Sequence, residues 1–182
     1  MSLRRSFTKE LAARHGSLTW VLFAALAGAP IMFLTVAWVL VEPAPGLLVP
    51  TTGPEPIPPF QVIAMSIIAA GAGILAFLIR AVIATPQRLT AQEVPTGTIQ
   101  SLVPPESDDE RRLAVSVGRW QTAFIVALAL SESMAIMGFL LSFLARDLTY
   151  VLIGAGVAVA LDIVFLRPDP TIYEKLIRQV RG

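Results

Sequence analysis

The sequence predicts an all-α, polytopic membrane protein with four transmembrane helices, both termini cytoplasmic, and short amphipathic helices on the cytoplasmic side. Three observations predict it. First, 55% of the 182 residues are hydrophobic and mean hydropathy is +0.71, above the roughly 45–50% apolar content of soluble domains. Second, four apolar stretches approach the ~20 residues that cross about 30 Å of hydrocarbon. They are Leu18–Val41, Phe60–Ala84, Gln121–Ala145 and Leu148–Leu166. Third, twelve of the 14 basic residues fall into three groups: Arg4, Arg5, Lys9 and Arg14; then Arg88, Arg111, Arg112 and Arg119; then Arg167, Lys175, Arg178 and Arg181. Short cytoplasmic segments retain Lys and Arg, so these groups put the ends and the central connection inside.

The first span is too long for a signal-peptide core, and three more spans follow it, so a retained helix is expected. Gly28 and Pro30 near its middle predict a kink. The connection Glu42–Pro59 has seven prolines, two glycines and no basic residue; it reads as an extended external strap. The second span carries Gly71-Ala72-Gly73 and, nearer its end, Arg80.

The cytoplasmic connection Thr85–Gly118 changes character at Ser107. Ser107 followed by Glu110 has the spacing of a capping box, and Asp108 and Asp109 suit a first helical turn. A helix from about residue 108 is therefore expected to run into the third span. Only Arg146 and Asp147 separate the third span from the fourth, which carries Gly154-Ala155-Gly156 and Asp162.

In the tail, 169–182, Asp169 and Pro170 suit N-cap and N1 of a short helix. Its residues Ile172, Tyr173, Leu176, Ile177 and Val180 share one face. That face fits either an anionic leaflet or the protein's own cytoplasmic loop. The Gly-Ala-Gly pair leaves duplication of a helical hairpin as an open reading.

Composition excludes several classes of chemistry. No cysteine removes disulfides, thiolate metal sites and thiol nucleophiles. The single histidine, His15, stands in a polar N-terminal stretch, so no embedded histidine is expected to hold a haem. A net charge of +1 with dispersed basic residues gives no footprint for nucleic acid. Phosphate-binding loops, dinucleotide fingerprints and metalloprotease motifs are missing from the sequence. The expectation is a protein that is not an enzyme, has no metal or other cofactor, and has the lipid bilayer as its first partner.

Glu132 is the residue that singles out the third span. A charged carboxylate at the centre of a span costs a few kcal/mol or more, so it is protonated, paired or turned to water. Ser131 and Ser133 flank it and are candidate co-ligands. One reading makes Glu132 an ion-binding residue; the other makes it a neutral hydrogen-bonding residue that fixes helix contacts. Arg80 and Asp162 fall at matching distances after the two Gly-Ala-Gly motifs and form a candidate structural ion pair. Gly71, Gly73, Ala135, Gly138, Gly154 and Gly156 are candidate positions for close helix packing.

Two stretches resemble the c-type proteolipids of rotary ATP synthases. Ala69-Ala70-Gly71-Ala72-Gly73-Ile74-Leu75-Ala76 is similar to the glycine-rich helix of those hairpins, and Ala129-Leu130-Ser131-Glu132-Ser133-Met134-Ala135-Ile136-Met137-Gly138 to their carboxylate helix. The resemblance implies proton or sodium translocation with Glu132 at the ion-binding position. The overall layout resembles small bacterial four-helix membrane proteins whose third span carries a lone acidic residue, which implies the bacterial inner (plasma) membrane. Three functional expectations follow: a structural or accessory subunit of a homo-oligomer or larger membrane complex; a proton- or sodium-binding translocation subunit; or a membrane-surface regulator acting through the basic tail.

Overall fold

A computed structural model describes residues 3–41, 57–91, 93–94 and 103–181. Nearly all of the expected external strap and part of the cytoplasmic connection lie outside those residues. Among the described residues every regular element is helical: α1 (Arg5–Ala27), α2 (Ala29–Val41), α3 (Pro59–Leu78), α4 (Pro86–Ala91), α5 (Asp108–Ala145), α6 (Thr149–Val164) and α7 (Ile172–Arg181), with a π turn, Ile79–Ile83, continuing α3.

Three helical runs are long and apolar enough to cross a membrane: Arg5–Val41, Pro59–Ile83 and Asp108–Ala145. The fourth apolar helix, α6, has 16 residues, about 24 Å at 1.5 Å per residue. It is thus shorter than the span expected over Leu148–Leu166. Its start is set by a tight turn, in which Arg146 adopts φ 52° and the Asp147 amide donates to the Ser142 carbonyl at 3.2 Å. At its other end the chain leaves the helix at Phe165.

The first run is divided at Gly28, as a glycine next to a proline-containing turn permits. Its helix begins well before the apolar stretch, at Arg5. The 38 residues of α5 cover about 57 Å, so its charged first turns extend far beyond what hydrocarbon requires.

The chain divides into two compact units. The first comprises Met1–Ala24, Leu78–Val126 and Arg167–Gly182; the second comprises Ala25–Phe77 and Ala127–Leu166. In the first unit α4 packs against α7, and Leu3, Phe7, Leu11, Ile172 and Leu176 are buried. The apolar face of α7 thus meets the chain's own connection through α4. In the second unit α2 packs along α6, with Phe33 and Met134 against a core of Ala135, Ala155 and Ala158. Large apolar side chains such as Ile63, Ile67, Ile74, Ile153 and Val164 point outward. An apolar exterior over an alanine-rich interior is the pattern of a protein solvated by lipid.

Candidate functional site

In the second unit, two helix faces with the same small-residue spacing meet. On α5, Ser131, Ala135, Gly138 and Ser142 share a face; on α6, Val151, Ala155, Ala158 and Asp162 do. The helices run antiparallel, with Ser142 opposite Val151, Gly138 opposite Gly154 and Ser131 opposite Ala158. Each pairing has a direct observation behind it. The Ser142 hydroxyl accepts from the Val151 amide at 2.7 Å. A Cβ on Gly138 would stand 2.6 Å from the Tyr150 carbonyl oxygen, and one on Gly154 2.6 Å from that of Met134. The Ser131 hydroxyl donates to the Ala158 carbonyl at 3.3 Å.

This crossing explains which glycines matter. Gly138 and Gly154 let the two backbones touch, whereas a Cβ on Gly73 would meet only the flexible end of Met134. Nothing lies within 4 Å of a Cβ at Gly71 or Gly156. Those two were expected at packing positions, and within this unit they face open space: two residues of displacement turn a helical side chain by about 200°.

Glu132 and Asp162 occupy the end of the crossing nearest Ser131. Glu132 is 6% exposed and Asp162 is fully buried. Among the described residues, none of their four carboxylate oxygens has a hydrogen-bond partner. Asp162 stands one turn beyond Ala158 on the face that meets Ser131, and Glu132 follows Ser131 directly. The two carboxylates lie within electrostatic reach of each other. Burying one such charge unpaired costs several kcal/mol, and burying two adds their repulsion. Their charge must therefore be compensated by protons or by a cation. Ser133 stands apart from this group, because its hydroxyl donates to the Leu130 carbonyl of its own helix at 2.6 Å.

The Arg80 guanidinium lies over the Trp120 ring, 5.8 Å from its centroid, and the Asp162 oxygens are unpartnered among the described residues. Arg80 belongs to the π turn, whose wider winding shifts side chains out of the 3.6-residue phase of α3.

The first unit handles its buried carboxylate differently. Glu110 accepts from Arg4 Nε at 2.7 Å and from Arg4 Nη2 at 2.9 Å, and from the Glu106 amide at 2.8 Å. Ser107 caps the Glu110 amide at 3.3 Å. The hydrogen bonds from Arg4 hold the Glu110 carboxyl at about 2, well below its ordinary value.

Near the start of the apolar part of α5, His15 Nδ1 lies 2.7 Å from Gln121 Oε1. Gln121 Nε2 reaches Thr19 at 3.4 Å, and the Thr19 hydroxyl lies 3.2 Å from that of Tyr173. Burial raises the Tyr173 hydroxyl above its usual value. Trp120 stacks on Phe124 and meets Tyr173 edge-on. In the tail, burial alone would raise the Asp169 carboxyl, but hydrogen bonds from Lys175 and Thr171 outweigh it and hold it at about 2.

Sequence reasoning missed Arg4–Glu110 and the set of His15, Gln121, Thr19 and Tyr173. Each joins residues more than 100 positions apart, and no local pattern encodes such pairing. One signal was present: a lone histidine one helical turn before Thr19, ahead of an apolar run. In comparisons with family models, curated proteins and solved structures, nothing matches this chain.

Proposed function

We propose that the chain is a four-span protein of the plasma membrane, with both termini cytoplasmic, whose embedded carboxylate Glu132 binds an exchangeable proton or sodium ion and serves in ion translocation. One observation carries the reading: a nine-tenths buried carboxylate, in the apolar part of a membrane-length helix, with both oxygens unpartnered among the described residues. A carboxylate kept only for packing would be expected to place its oxygens against a donor on a neighbouring helix. The topology follows from the basic residues, with α6 completing the fourth crossing through its flanking residues. Ser131 supports the site through α6; Ser133 has no part in it.

The test is carboxyl labelling by a hydrophobic carbodiimide, read by mass spectrometry of the purified chain. Glu132 is expected to react, and to react less as pH rises or as sodium is added. A Glu132 that stays unmodified at every pH would end this reading.

A second reading, a structural or accessory subunit of a membrane assembly, is favoured by a different observation. Gly71, Gly156 and Ala160 are exposed small residues, and exposed small residues on an apolar helix permit close approach by another helix. Native mass spectrometry in mild detergent is expected to show an oligomer or complex; a lone monomer throughout would remove this reading.

A further inference from the structure

We propose that Asp162 and Glu132 together form one exchange site, which holds two protons when it is free of metal and releases one proton for each positive charge of a hard cation that enters. The inference rests on Glu132 as an ion-binding residue and adds its partner, its ligand class and its stoichiometry.

The geometry supplies the ligands. The α5–α6 crossing brings the Ser131 hydroxyl to the Ala158 carbonyl at 3.3 Å. Asp162, four residues beyond Ala158, and Glu132, next to Ser131, place four unpartnered carboxylate oxygens at the same end of that crossing. Oxygen is their only donor atom, which suits hard cations such as sodium, magnesium or calcium over soft transition metals. Along the same crossing, Ala135, Ala155 and Ala158 form an apolar cluster with Met134 and Phe33 against it. Ser131 is the polar side chain of α5 that the crossing sets against the α6 backbone here. Among the described residues, no lysine or arginine is a hydrogen-bond partner of either carboxylate.

Charge balance fixes the exchange. In surroundings of low polarity the favoured occupants leave the site neutral. With two carboxylic acids the site is neutral. A sodium ion that enters displaces one proton to solvent and leaves one carboxylate, one carboxylic acid and the metal. A calcium or magnesium ion displaces both protons and is held between two carboxylates. The arithmetic is conserved either way, and no electron moves. Glu132 retains 6% of its surface while Asp162 retains none, so an ion reaches Glu132 first and the pair second.

The experiment uses the full chain in detergent micelles, with a pH indicator in weak buffer and radioactive sodium or calcium as probes. Wild type is expected to release about one proton per sodium or about two per calcium bound. Asp162→Asn is expected to keep Glu132 reactive toward carbodiimide but to lose calcium binding by more than about tenfold, because one anionic ligand is gone. Glu132→Gln should lose both labelling and cation binding; a matching circular dichroism spectrum checks that each variant is folded. If Asp162→Asn releases as many protons per cation as wild type, Asp162 is no ligand and this inference falls while the Glu132 reading stands. If labelling of Glu132 follows pH but no cation displaces a proton, the exchange falls and proton binding stands. A wild-type Glu132 that never reacts, with no proton release by either cation, overturns both.

Discussion

Both units bury acidic residues on α5, but they treat them in opposite ways. In the first unit Glu110 is nearly inaccessible and has a partner for each oxygen: Arg4 spans both, and the Glu106 amide adds a third contact. In the second unit Glu132 and Asp162 are as deeply buried and have none among the described residues. A fold that satisfies one buried carboxylate this fully is not short of donors. Satisfied polar groups specify structure, whereas unsatisfied ones stay in a fold at a cost. The lesson is that burial alone does not distinguish these carboxylates; the count of partners does.

The largest expected effect tests the frame that holds the unpartnered pair. Replacing Gly138 or Gly154 by leucine forces a side chain into the opposite backbone, and relief requires the helices to separate. Overpacking of this kind costs about 3 kcal/mol, so the thermal unfolding midpoint of either variant in detergent should fall sharply. Gly71→Ala and Gly156→Ala meet nothing and gain helix propensity; their midpoints should hold or rise. Equal losses at all four positions would break the account of the crossing.

Next in size is the contrast between satisfied and unsatisfied polar groups. Gln121→Leu strands His15 Nδ1 and should cost about 2 kcal/mol, the penalty for leaving a buried partner unpaired. Glu132→Gln removes a proton site without removing a protein hydrogen bond, so the unfolding midpoint should stay near that of wild type. If Glu132→Gln proves the more damaging of the two, Glu132 is a structural residue and the comparison between the units collapses.

Much of the fold was legible because hydrophobic length and charge placement are local properties. The apolar stretches, the helix beginning at Asp108 behind Ser107, and the short helix after Asp169 follow from spacing alone. The glycines of the crossing were legible as a class but not individually, since Gly154 and Gly156 differ only in which side of α6 they occupy. The candidate site was half legible. Glu132 stands out in any hydropathy reading, whereas the surroundings of Asp162 do not, because depth along a helix is readable from sequence and direction around it is not. The π turn at Ile79–Ile83 then moved Arg80 onto Trp120. Nothing local predicts that extra residue.

A third contrast is in pH dependence. The folded Glu110 carboxyl sits at about 2, against an ordinary 4.5. A group whose folded value is depressed stabilises the fold above its unfolded value, and that contribution is lost as pH falls through the folded one. The unfolding midpoint should therefore hold above about pH 4.5 and decline from there toward pH 2. In Glu110→Gln the midpoint should start lower, and its decline over the same range should be shallower. An identical slope in wild type and variant would show that the Arg4–Glu110 contact is not what acid disrupts.

The smallest expected effect concerns a single hydroxyl. Val151 lies in the first turn of α6, where backbone amides have no partner within their own helix. Ser142 supplies one from α5, with both groups buried. Ser142→Ala leaves that amide unpaired in surroundings without water, at a cost of about 1 kcal/mol. Ser142→Thr keeps the acceptor, although its extra methyl must fit against a fully buried face. Comparing the two separates the hydrogen bond from the packing around it. A lower midpoint for alanine with recovery by threonine assigns the loss to the bond, and amide hydrogen exchange at Val151 should rise only in the alanine variant. Because the same face of α5 continues through Gly138 to Ser131, a loosened amide at this end that left carbodiimide labelling of Glu132 unchanged would show that the crossing holds its two ends independently.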